Sequence, residues 1–216
     1  TNYVNLLLLR QTNKLYFSMG KEIVKKFKED YSTYKILLND RKSIFESVID
    51  INKVGNNANT LEKIEVIEHI TLKKNIDLIV NIKVNNNKFF QFKLRCKDFC
   101  EIPFFRFDSD GDTHRNYLEN TTKLDAQKVE TPHFHLYNED GLNIAYRTPQ
   151  LENIEQRRAL EDINLCVYHF FREANIVLPN DVLPIIKIKG GSLDLDFSND
   201  DPNANITFLW LQSKPY

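Results

Sequence analysis

Leu78-Ile79-Val80-Asn81-Ile82-Lys83-Val84-Asn85-Asn86-Asn87-Lys88-Phe89-Phe90-Gln91-Phe92-Lys93-Leu94-Arg95-Cys96 is the stretch that decides the fold. Val80, Ile82 and Val84 alternate with polar residues, as do Phe90, Phe92, Leu94 and Cys96 after the three asparagines. Alternation with a period of two puts one side of each arm in a core and the other in water, and the asparagines supply the turn. The segment predicts a β-hairpin. Its second arm places Gln91, Lys93, Arg95 and Lys97 on the polar side, which reads first as a solvated outer face and second as a track for a phosphate backbone.

Outward from the hairpin, short apolar runs bounded by turn residues predict further antiparallel strands. They cover residues 34–38, 43–51, 64–72 and 102–107, with another strand at 185–189. Leu15, Met19, Ile23 and Phe27 recur every four residues after Thr12-Asn13 and predict an amphipathic helix over 13–29. Thr148-Pro149 supplies a cap and a first-turn proline for a second, long helix over 149–175, with Leu160, Ile163, Val167, Phe170, Phe171 and Ala174 as its apolar side. His169 falls off that stripe and reads as a surface or boundary residue. The fold class is therefore α+β: a curved antiparallel sheet packed against the two helices. Residues 1–189 form the main domain and residues 190–216 a C-terminal hairpin or strand extension, because Phe208, Leu209, Trp210 and Leu211 need cover.

Lys and Arg number 29 against 30 Asp and Glu in 216 residues, so no global field draws the chain to nucleic acid or to an acidic membrane. Cys96, Cys100 and Cys166 are an odd set without a disulfide framework, and Cys96-x3-Cys100 is not a zinc-knuckle spacing. Leu6 to Leu9 is far short of the roughly 20 apolar residues that cross a bilayer. A cytoplasmic protein with no membrane partner is the expectation.

Three of the five histidines lie within 22 residues, in Asp108-x5-His114-Arg115-Asn116 and Pro132-His133-Phe134-His135-Leu136-Tyr137. Imidazole titrates near neutrality, so a cluster of imidazoles suggests a site. On a strand, His133 and His135 share one side while Phe134 and Leu136 take the other. If the strand ending at Asp108 is a neighbour, Asp108 and His114 reach them, with Arg106 and Arg115 close enough to hold an anion. Two chemistries fit. Without metal, one histidine is a base, another an acid, and an arginine stabilises an anionic transition state, as RNA cleavage through the 2'-hydroxyl requires. With metal, His114, His133, His135 and Asp108 are nitrogen and oxygen ligands.

Two lookalikes are set aside. His133-x-His135-x3-Glu139 has the ligand spacing of a cupin motif but lacks its glycines and any second motif. Asp108-x-Asp110-x-Asp112 with Glu119 resembles a calcium loop but has Thr113 where glycine belongs.

The order Arg106-x-Asp108, His114-Arg115-Asn116, Pro132-His133-x-His135-x-Tyr137 and Ala145-Tyr146 resembles an uncharacterised family of small proteins of bacteria and their prophages, over about residues 100–175. More distantly it is similar to suspected RNase toxins of a toxin–antitoxin system. The resemblance implies a mobile-element or defence setting and a nucleic-acid target. The leading expectation is metal-independent cleavage of RNA, with no cofactor. His114, His133 and His135 carry the chemistry, Asp108 orients a histidine and Tyr137 donates a hydrogen bond. Arg106, Arg115, Asn116, Lys93 and Arg95 are placed on the substrate. The alternative is a phage-encoded inhibitor or other partner-binding protein of a host defence system.

Overall fold

The computed structural model describes residues 23–55, 59–84, 86–116, 128–178 and 184–188. Two short helices open it, α1 (Lys25–Glu29) and α2 (Tyr31–Asn39). The strands β1 (Lys42–Ser43), β2 (Val48–Ile51), β3 (Lys53–Val54), β4 (Thr60–His69), β5 (Lys74–Lys83), β6 (Asn86–Arg95), β7 (Phe105–Asp108), β8 (His114–Arg115), β9 (Lys128–Val129), β10 (His133–Tyr137) and β11 (Asn143–Tyr146) follow. Helices α3 (Pro149–Glu152), α4 (Ile154–Ala159) and α5 (Ile163–Glu173) and strands β12 (Ile176–Val177) and β13 (Ile185–Ile188) complete it.

The main sheet curls through the order β11-β10-β7-β6-β5-β4-β1-β12, with β3 added on β4. The α+β class holds, and the hairpin is β5–β6, with Val80 opposite Phe92 and Ile82 opposite Phe90. The sheet is mixed, however, because β1 runs parallel to β12, and a separate two-stranded sheet pairs β13 parallel to β2. A two-residue parallel pairing at a sheet edge leaves no trace in periodicity.

Three other expectations are corrected. Residues 34–38 are not a strand but lie in α2, where Tyr34 and Leu37 are buried three residues apart. So short an apolar run fits either period. The long helix over 149–175 is instead α3, α4 and α5. Asn153 accepts from the Gln156 amide and Asp162 from the Asn164 and Leu165 amides, so each side chain starts a new helix rather than continuing the old one. Thr148 does cap α3, accepting from the Leu151 amide, with Pro149 in the first turn. His169 is buried, with Nε2 2.9 Å from the Thr148 hydroxyl. The helix expected over 13–29 and the extension at 190–216 fall largely or wholly outside the described residues, apart from α1. Among the described residues no helix is long and apolar enough to cross a membrane.

One side of the sheet is phenylalanine. Phe92 of β6, Phe107 of β7, Phe134 of β10 and Tyr146 of β11 stand directly opposite one another across the strands. Phe170 of α5 lies on them, 5.2 Å from Phe92 and 5.5 Å from Phe105 between ring centroids. Burying each such ring contributes roughly 1.5–3 kcal/mol, so this layer fixes the register of the central strands. The other side is therefore fixed too, and it is polar.

Candidate functional site

Following the register across the polar side, Glu62, Asn81, Gln91, Asp108 and His133 form one row from β4 to β10. Ile64, Ile79, Lys93, Arg106, His135 and Ala145 form the next. The two rows bring Asp108, His133, Arg106 and His135 together from strands far apart in sequence. His114 arrives separately. The ribbon of β8 and β9, paired His114 to Val129, sets its ring against the others. Ring centroids lie 4.8 Å from His114 to His135, 6.3 Å from His114 to His133 and 4.5 Å between the strand pair. All three imidazoles line one cleft of about 490 Å³, with Arg106, Asp108 and Gln91 at the floor and Lys83, Phe89, Asp110, Asp112 and Thr131 around them.

The floor is tightly connected. Nε2 of His135 is 2.8 Å from Nε2 of His133, 3.0 Å from Asp108 Oδ2 and 2.8 Å from Arg106 Nη2. Arg106 Nη2 is also 3.0 Å from Asp108 Oδ2, and Gln91 Nε2 donates to Asp108 Oδ1 at 2.9 Å. On its far side His135 uses Nδ1 against Asn143 Oδ1 at 2.7 Å, and the Asn143 carbonyl accepts from Nε2 of His114 at 3.3 Å. Nδ1 of His133 is buried without a well-aligned hydrogen bond, although the Glu130 backbone bears on the ring.

Burial depth sets the protonation. His133 is 1% exposed, and burial, helped by the neighbouring His135, pushes its pKa down to about 4. Burial likewise lowers His114, which is more open. Both rings are neutral at pH 7. Burial opposes the charge on Asp108, but the His135 contact and the Arg106 guanidinium outweigh it and hold the carboxyl below its ordinary value.

No family model, curated protein or solved structure matches the chain. The resemblance carried by the histidine motifs accordingly rests on the motifs alone.

Of the ten residues read from sequence as site members, five line the cleft: Arg106, Asp108, His114, His133 and His135. Lys93 lies beside Arg106 in the same row, half-buried, with its pKa lowered by burial. Arg95, further along β6, is held by Asp77 through Nε at 3.1 Å and Nη2 at 2.7 Å. Tyr137 stacks on Phe27 at 4.1 Å beneath α1, in the core. Arg115 is exposed and does not line the cleft. Asn116 serves the scaffold: its side chain donates to the Ala145 carbonyl and accepts from the Ala145 amide, both at 2.8 Å. It thus mimics a strand along the edge of β11 and pins the His114 ribbon there.

Asn143, Gln91, Lys83 and Phe89 belong to the site and were not singled out from sequence as members. Gln91 had a usable signal, since it shares a strand side with Lys93. Asn143 had none, because its role depends on the β10–β11 register. Glu139 of the cupin-like spacing is exposed at the hairpin tip and does not join the cluster. Glu119 lies outside the described residues.

Proposed function

We propose that the protein cleaves RNA in this cleft by transesterification at a phosphodiester. The observation that carries the reading is the convergence of three imidazoles, a carboxylate and an arginine in one open cleft. Such a set supplies a base, an anion holder and an orienting charge. The rim favours a nucleotide over a simple phosphate. Lys83 Nζ sits 4.3 Å over the Phe89 ring, an aromatic plate beside a cation, which suits a base stacked next to its phosphate.

In this reading neutral His114 takes the proton of the 2'-hydroxyl through Nδ1, since its Nε2 already donates to Asn143. The oxygen attacks phosphorus, Arg106 stabilises the charge that develops, and the 5'-oxygen leaves with a proton from water. The products are a 2',3'-cyclic phosphate and a 5'-hydroxyl. His133 and His135 act as one unit on the floor, because nitrogens 2.8 Å apart leave no space for a phosphoryl group between them. Lys93, Arg95, Arg115, Asn116 and Tyr137 have no part in the chemistry. The mobile-element or defence setting follows from the motif resemblance.

The test is cleavage of mixed-sequence oligoribonucleotides by the full chain, with cyclic-phosphate ends as the readout. Replacing a base typically costs about 10² to 10⁴ in rate, so His114→Ala should fall by that much while binding persists. Wild-type protein that binds RNA without turnover, or a fully active His114→Ala, overturns the proposal. The first result would favour the partner-binding alternative.

A further inference from the structure

We propose that His133 Nε2, His135 Nε2 and Asp108 Oδ2 form a binding site for a divalent transition metal of the zinc, manganese or iron(II) class, with Arg106 holding the place of the cation until it arrives. This goes beyond the RNA reading and stands or falls separately from it.

The first support is a conflict at one atom. Nε2 of His135 has a single in-plane position for either a proton or a lone pair. With a proton it can donate to Asp108 at 3.0 Å but then meets the Arg106 donor at 2.8 Å. With a lone pair it can accept from Arg106 but then faces the Asp108 carboxylate. His133 Nε2, at 2.8 Å, adds a third polar neighbour. No protonation state satisfies all three contacts. A cation between the two nitrogens and the carboxylate oxygen satisfies the ligands at once, and the guanidinium then moves out.

The second support is dimension. The three donor atoms are separated by 2.8, 3.0 and 3.8 Å. Ligands about 2.0–2.2 Å from a metal lie about 3 Å apart at right angles and about 3.4 Å apart in a tetrahedron, so this triangle reaches a tetrahedral set by changes of about 0.4–0.6 Å in each separation, within the reach of side-chain rotation. Two neutral imidazoles and one carboxylate suit borderline dications better than magnesium or calcium, which prefer oxygen. The far nitrogen of His135 is already held by Asn143 Oδ1 and the far oxygen of Asp108 by Gln91, the outer contacts that orient ligands.

The third support is that Arg106 can leave. Its side chain is 36% exposed, and its Nε is buried without a hydrogen bond, so its present position is incompletely satisfied. Formal charges lining the cleft are Lys83 and Arg106 against Asp108, Asp110 and Asp112, one negative in excess. A dication reverses that sign and prepares the cleft for an anionic ligand, which the displaced guanidinium can help to hold.

The test is calorimetric titration of the chelator-treated full chain with zinc chloride, and with cobalt(II) chloride followed by visible absorption. One equivalent should bind, with cobalt bands of a nitrogen–oxygen site. His135→Gln and Asp108→Asn should abolish both signals, with folding checked by circular dichroism. Asn143→Ala should weaken binding about 10- to 100-fold as an outer contact. Arg106→Ala, which removes the competing cation, should bind at least as tightly as wild type. It is partly exposed and outside the core, so this arm survives if the buried variants misfold. Absence of stoichiometric binding, retention of binding in a folded His135→Gln, or weaker binding in Arg106→Ala overturns the site. RNA cleavage in chelator together with no stoichiometric metal binding would sink the metal and keep the RNase; a loaded site without RNA turnover would do the reverse.

Discussion

Asn116→Ala removes the clamp between the His114 ribbon and the sheet edge. The Asn116 amide makes two hydrogen bonds to Ala145, both 2.8 Å, in a position only 5% exposed. Two neutral hydrogen bonds are worth roughly 0.5–1 kcal/mol each, and an Ala145 amide or carbonyl left without water adds about 1–2 kcal/mol, giving about 2–4 kcal/mol in all. That energy closes a local flap rather than the whole fold, since β8 and β9 pair with each other and lie outside the main sheet. Amide exchange at Ala145 should therefore accelerate about 30-fold to several hundred-fold, at 1.4 kcal/mol per factor of ten. The amides of Ile79 and Val80 in β5 should keep their protection. Unchanged exchange at Ala145 would refute the clamp, and equal loss of protection in β5 would refute its local character.

Gly141 has φ of +73°, and a Cβ there would lie 2.5 Å from the Val24 carbonyl, so Gly141→Ala should cost about 1–3 kcal/mol in urea unfolding and loosen the start of α1 from the β10–β11 turn. Phe134→Ala should cost about 3–5 kcal/mol, because the ring stacks on Phe105, Tyr146 and Phe170; a loss below 1 kcal/mol would mean the aromatic layer does not hold β10. Burial pulls Lys42 down to about pH 7, although its ammonium meets the carbonyls of Leu38, Asp40 and Ala174. The unfolded lysine, near 10.4, binds more protons in between, so stability should rise from about pH 7 toward 10 and Lys42→Met should flatten that slope. His69 and His169, also lowered by burial, act in the same sense lower down: the unfolded state takes up protons first as pH falls through about 6.5, and stability should drop there.

The sequence disclosed the parts of the fold that follow from a simple period. Alternation in Val80 to Cys96 located β5 and β6, and the equal spacing of His133 and His135 put both on one side of β10. The misreadings have physical sources. The segment 34–38 has too few residues to distinguish a half-turn helical stripe from a strand. Asn153 and Asp162 look like tolerable polar positions in a long helix until their side chains are seen to cap the next turn. For the site, the gathering of histidines with Asp108 and Arg106 was legible and the geometry was not. The motif letters drew in Asn116 and Tyr137, but only register shows one clamping β11 and the other stacked on Phe27. Asn143, whose two oxygens hold two histidines, is an unremarkable letter in an unremarkable segment.

Asp108, His133 and His135 share their strands with Phe105, Phe107 and Phe134, whose rings point the opposite way. A slip of one residue between β7 and β10 would drive imidazole into the aromatic layer and phenylalanine into water, so the trio cannot rearrange while the layer survives. His114 has no such backing. Its ribbon is tied to the body by a few kcal/mol, so on the proposed reading the protein would be a permanent anvil with a detachable hammer: the trio lasts as long as the fold, and the third imidazole comes and goes.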